Sequence, residues 1–146
     1  MNFNLYKETI MNPIKHALLA CTLAGATTFA AAAANPLSVH VLDLQSGQPT
    51  AGVRVTLEQR AGEGWHALAA GVTNAQGRIG ALYPEDKPMA AGDYRIVFET
   101  GEHYARLKQD TFFPRIPVEF RVTAAGQHYH VPLLLSPFGY STYRGN

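Results

Sequence analysis

The most constraining feature of this chain is an alternation of period two, cut into short pieces. From Val53 to Gln59, Val53, Val55 and Leu57 fall on one side and Arg54, Thr56 and Glu58 on the other. Successive side chains of a strand point to opposite faces, so this segment is a strand with one buried and one wet face. Leu37 to Leu42, Trp65 to Thr73, Tyr94 to Phe98, Val118 to Val122 and Tyr129 to Leu135 are further runs of strand composition. Turn signals such as Gln45-Ser46-Gly47-Gln48-Pro49 and Asn74-Ala75-Gln76-Gly77 recur at intervals of about eight to twelve residues. Tyr140 to Arg144 has the makings of a hairpin partner after Ser136-Pro137-Phe138-Gly139. Only Gly101 to Lys108 has helical composition. These pieces predict an all-β sandwich with one short helix.

The N-terminal part reads differently. Lys7 and Lys15 precede an uncharged, Ala-dominated stretch, Ala17 to Ala34, which ends in small residues just before Asn35-Pro36. Basic start, apolar middle and small-residue exit predict a secretory signal over residues 1–34, with Met1 or Met11 as the start. A transmembrane anchor is the competing reading, but Ala is weakly apolar and nothing basic follows as a stop. Cys21 invites a lipid anchor, yet too few apolar residues separate it from Lys15. The domain expected after cleavage, residues 35–146, has no cysteine and must rest on its core, for which its length suffices. Removal of Lys7, Lys15 and Glu8 from the chain's 12 basic and 11 acidic residues leaves ten of each. Balanced charge gives no electrostatic basis for a nucleic-acid partner or stable membrane association. Export makes a periplasmic location the expectation for a bacterial protein.

Histidines carry most of the chemical interest. In His128-Tyr129-His130-Val131-Pro132 the two imidazoles share a face, while Tyr129, Val131 and Leu133 take the other. His40 interrupts an otherwise apolar strand, on one face with Ser38 and Leu42. Imidazoles give and take protons near neutral pH, so convergence of these strands would make an acid/base site. The His-x-His pair also has the form of half a metal site, with His40 as a third ligand, but no cysteine or neighbouring carboxylate supports that reading. His66 and His103 read as structural. Arg78, following Asn74-Ala75-Gln76-Gly77, would by default be a solvated turn residue. Neither a Gly-x-Ser-x-Gly elbow nor a phosphate-cradling glycine loop is present. The residues alone leave three classes open: a histidine enzyme, a small-ligand carrier, and an exported immunoglobulin-like adhesion or carbohydrate module.

Three stretches resemble a known family. Leu37-Ser38-Val39-His40-Val41-Leu42-Asp43 followed by Gly47 and Pro49, then Asn74-Ala75-Gln76-Gly77-Arg78, and above all the tail from His128 to Gly145, look like transthyretin-like (prealbumin-like) proteins. The resemblance spans Leu37 to Asn146. Within that family the vertebrate hormone carriers lack the histidines and the Tyr-Arg-Gly ending, whereas the hydrolases have them. His40, Arg78, His130 and Tyr143-Arg144-Gly145 follow the hydrolase pattern. The resemblance therefore implies cofactor-free, metal-free hydrolysis of 5-hydroxyisourate to 2-oxo-4-hydroxy-4-carboxy-5-ureidoimidazoline in urate breakdown. It implies catalytic His40, Arg78 and His130, with Tyr143, Arg144 and Gly145 lining the substrate pocket and His128 in second rank. It also implies a homotetramer, a dimer of dimers with sites in the cleft between dimers. One departure stands at the end, where Asn146 replaces the family's usual terminal Ser. Asn keeps a polar side chain, so tuning rather than loss of activity is the effect to expect, with a loss only if the hydroxyl is needed for proton transfer.

Overall fold

The computed structural model describes residues 34–146; the proposed signal up to residue 33, with Cys21, lies outside them. Eight strands and one helix follow in the order β1 (Leu37–Asp43), β2 (Arg54–Ala61), β3 (Gly64–Val72), β4 (Arg78–Ile79), β5 (Gly92–Phe98), α1 (Thr100–Arg106), β6 (Ile116–Val122), β7 (Tyr129–Ser136) and β8 (Gly139–Thr142). They form two four-stranded sheets, ordered β4-β1-β7-β8 and β3-β2-β5-β6. The expected all-β sandwich with one helix is what forms. Among the described residues no helix is long and apolar enough to cross a membrane.

The alternation decides which face of each strand is buried. Leu37, Val39 and Val41 of β1 are wholly buried, as are Val55 and Leu57 of β2 and the preceding Val53. Leu133 and Leu135 of β7, Ile96 and Phe98 of β5, and Ile116 of β6 join them in one core cluster. Each fully buried aliphatic or aromatic side chain contributes about 1.5–3 kcal/mol, so this shared core holds the sheets face to face. The intervening residues of β1, Ser38 and His40, are consequently turned outward.

Most strand pairs are antiparallel, but β1 and β7 run parallel in register from Leu37↔Tyr129 to Asp43↔Leu135. A parallel pair needs a long crossover, and here it runs through β2, β3, β5 and β6 of the other sheet, with β4 returning to the edge of β1 on the way. β4 closes the other edge of β1, antiparallel, with Val39↔Ile79 and His40↔Arg78 as partners.

The helix is shorter than its composition suggests. It ends at Arg106, not at Lys108, because Lys108 takes a left-handed conformation with φ 55°. Lys108 N–H donates to Ala105 O at 3.1 Å and Gln109 N–H to Tyr104 O at 3.0 Å. This is the closure of a Schellman motif, with lysine where glycine is usual.

The turn before β4 has a tighter requirement. Asn74 Oδ1 accepts from Gln76 N–H at 3.0 Å and Arg78 N–H at 2.9 Å, while Gly77 N–H donates to Asn74 O at 2.8 Å. Gly77 adopts φ +68° and its carbonyl accepts from Val41 N–H at 2.8 Å. A side chain there would collide with Val41 O and Thr50 N. Gly77→Ala is therefore expected to cost about 1–3 kcal/mol and to lower the unfolding temperature measured by circular dichroism; an unchanged midpoint would contradict this account of the turn.

Candidate active site

The outward face of β4-β1-β7-β8 gathers the polar residues that the buried face rejects. Register places Arg78 opposite His40 across β4 and β1, and Ser38 opposite His130 across β1 and β7. Paired residues share a sheet face, so Arg78, His40, Ser38 and His130 project together, with His128 two residues before His130. The His40 and His130 ring centroids stand 6.5 Å apart, at 33°. These two imidazoles are 90 positions apart in sequence, and the parallel pairing alone makes them neighbours.

Both rings are partly buried, and both titrate below the ordinary histidine range. Burial is the main cause for His40, reinforced by the Arg78 guanidinium and opposed by a backbone interaction with Gln76. For His130 burial again leads, followed by the charges of Arg78, His40 and His128, with a backbone interaction at Ser38 acting in the opposite sense. Desolvation and a nearby cation both disfavour an imidazolium, so the two rings are held neutral near pH 7. His40 Nε2 is buried without a hydrogen-bond partner. An unpaired buried nitrogen is costly, by about 1–3 kcal/mol, which suits it to a polar atom of a bound ligand.

The chain end completes the cluster. Gly145 N–H donates to His130 O at 2.8 Å, bridging the tail onto β7. A Cβ on Gly145 would run into the His130 ring at Cδ2 and come 3.3 Å from Pro132 Cγ. Glycine is thus required because the backbone passes directly over the imidazole.

Tyr143 and Arg144 lie on the other side of His130. With Tyr129, His130, Thr142 and Glu119 they line a cleft of about 210 Å³ between β6 and β8. The Arg144 guanidinium sits 5.3 Å from the Tyr129 ring centroid and reaches Gln127 Oε1 at 3.4 Å. The expected set is therefore gathered in two groups that meet at His130, with His40 and Arg78 outside the cleft. Asn146 is exposed beyond Gly145. His66 lies exposed on β3 and His103 partly buried on α1, both away from this face.

One member was missed in the sequence. Ser38 Oγ lies 2.9 Å from His128 Nε2 and 2.8 Å from His130 Nδ1. Its signal was available, two residues before His40 on the same face. One ring nitrogen of each histidine in the His-x-His pair is thus engaged by a single hydroxyl. Among the described residues no group of three or more His, Cys, Asp or Glu side chains is arranged to hold a metal ion.

A sandwich of two four-stranded sheets with an imidazole–guanidinium cluster on one outer face defines the class of protein. Residues 37–145 match the HIUase/Transthyretin family model, and the chain belongs to that family. It is 57% identical over 116 residues to the 5-hydroxyisourate hydrolase of Salmonella typhi, covering 80% of this chain and 85% of the relative. The solved 5-hydroxyisourate hydrolase of Klebsiella pneumoniae superposes with a TM-score of 0.66 at 43% identity, over 75% of this chain and 98% of that one. Transthyretin of Sparus aurata superposes with a TM-score of 0.70 at 36% identity, over 75% and 96%.

The contact between tail and ring yields a prediction. Gly145→Ala should displace the His130 ring and shift its side-chain NMR resonances. Unmoved His130 resonances would show that the tail does not pack on the ring in solution.

Proposed function

We propose that this chain hydrolyses 5-hydroxyisourate, adding water across a cyclic amide and opening the ring to 2-oxo-4-hydroxy-4-carboxy-5-ureidoimidazoline. The observation that carries this reading is the juxtaposition of two neutral imidazoles with a guanidinium, in a chain highly similar to proteins named for that activity. A pocket for a passive apolar ligand has no use for such a face.

Water is a weak nucleophile at neutral pH, so a base within hydrogen-bond reach is the first requirement. His40 and His130 are both available as neutral acceptors. One takes a proton from water as its oxygen bonds to the amide carbon. The C–N bond then breaks, and a proton passes from imidazolium to the leaving nitrogen. Arg78 supplies planar donors to the oxygen on which negative charge develops. Its positive charge also keeps the imidazoles unprotonated beforehand. Tyr143 and Arg144 line the cleft on the other side of His130, and Gly145 lets the tail lie against the His130 ring. The chemistry needs only water and these side chains.

Export and assembly belong to the same reading. The segment before Asn35 has the plan of a signal peptide, which supports a periplasmic enzyme. N-terminal sequencing of the protein recovered from periplasm tests it, and an intact residue 1–34 segment would refute it. β8 and β6 are sheet edges, and Phe138 and Tyr140 are exposed, features that favour assembly into a homotetramer with sites between dimers. A monomer by light scattering would refute that arrangement.

The decisive assay generates 5-hydroxyisourate from urate and follows its decay spectrophotometrically. The protein should accelerate decay well beyond the spontaneous rate, and no acceleration would reject the reading. His40→Ala and His130→Ala should each lower kcat about 10²-fold or more if each handles a proton; near wild-type rates in both would remove them from the mechanism. The neutral imidazole is the active form, so activity falls as pH drops through the lowered pKa values. The acid limb of the kcat/KM profile should therefore have its midpoint below 6.5, the ordinary histidine value. A midpoint above it would contradict the assignment.

A further inference from the structure

A hydrogen-bond chain runs behind His130. Its far end is Asn35, whose side-chain amide is pinned on both sides: Nδ2 donates to Tyr83 O at 2.7 Å, and Oδ1 accepts from Leu37 N–H at 3.1 Å and Tyr83 N–H at 3.2 Å. The backbone carbonyl of Asn35 lies 2.9 Å from His128 Nδ1. His128 Nε2 lies 2.9 Å from Ser38 Oγ, and Ser38 Oγ lies 2.8 Å from His130 Nδ1.

The donors in this chain can be assigned by elimination. A carbonyl only accepts, so His128 Nδ1 carries a proton and donates to Asn35 O. In the neutral form of the ring Nε2 is then bare and can only accept. Ser38 O–H must donate to it. With its one proton spent, Ser38 Oγ accepts from the remaining neighbour, so His130 Nδ1 carries the proton. The lone pair of His130 is left at Nε2.

We propose that Ser38 and His128 are positioning residues that hold His130 in the Nδ1-protonated tautomer, with Nε2 as its basic nitrogen. Neither touches the reacting atoms; both act through the ring. The reading rests on His130 being a proton acceptor in the reaction proposed above. It distinguishes the two histidines, because the chain leads to His130 and not to His40. It also gives His128 a reason to be histidine: an imidazole accepts from a serine on one side while donating to a carbonyl on the other. Arg78 and His40 face His130 from β4 and β1, and Glu119 and Arg144 line the cleft on its other side.

The test reads the tautomer directly. Two-bond ¹H–¹⁵N correlation spectra of the full-length mature protein, at about pH 8 where imidazoles are neutral, assign the protonated nitrogen of His130. Wild type should show Nδ1–H. Ser38→Ala should shift the ring toward Nε2–H and lower kcat about tenfold with little change in KM, as expected when a histidine loses the partner that fixes its tautomer. Ser38→Thr keeps the hydroxyl and should restore both. His128→Ala removes the acceptor for Ser38 and should shift the ring in the same direction as Ser38→Ala; an unchanged tautomer would overturn the role assigned to His128. A wild-type His130 protonated at Nε2 overturns the inference. So does Ser38→Ala with an unchanged tautomer, or Ser38→Thr as impaired as Ser38→Ala, which would indicate packing. The spectra need no substrate. An inactive protein with Nδ1–H would reject the hydrolase reading while leaving the tautomer assignment standing.

Discussion

The parallel pairing of β1 with β7 is the constraint on which everything else depends. It joins residues about ninety positions apart and sets Ser38 against His130 and His40 against Pro132. A slip of one residue would turn Leu37, Val39 and Val41 toward water and bury Ser38 and His40, exchanging core for site. The hydrophobic alternation that builds the sandwich thus also fixes which imidazoles meet. Stability and site geometry are two consequences of one register.

Around that pairing, the site is built from backbone devices as much as from side chains. Gly77 lets the turn approach Val41 closely enough to bond it, which brings Arg78 alongside His40. Gly145 lets the tail cross the face of His130 and bond its carbonyl. Asn35, at the start of the domain, presents a carbonyl to His128. Three segments far apart in the chain converge where two strands place their polar residues. The electrostatics follow from this packing: partial burial and one guanidinium keep both imidazoles neutral, and a neutral ring is what a proton acceptor must be.

Much of this was legible beforehand, for identifiable reasons. Strand periodicity separates buried from exposed residues, so the shared face of His128 and His130, and the outward turn of His40, follow from spacing. The class of fold follows from the shortness of the runs and the regularity of the turns. Arg78 is a different case, since on its own it is an ordinary turn residue. Its resemblance to a family motif singled it out, and pairing with β1 accounts for it. The helix stops short of the stretch with helical composition because composition does not show that Lys108 adopts a left-handed conformation. The role of Ser38 is not legible in the sequence, because a serine on a wet strand face has no distinguishing mark until its neighbours are known.

The sequence by itself determined the β-sandwich, the core and the polar face, because these depend on local alternation and on the burial of apolar side chains. It also carried the Tyr143-Arg144-Gly145 ending that aligns the chain with hydrolases. Only the tertiary structure decided that His40 and His130 are neighbours, that Gly145 lies over an imidazole, and that Ser38 stands between two histidines. Those relations are contacts between distant segments, set by strand order and register across the sheet, and no local pattern encodes them.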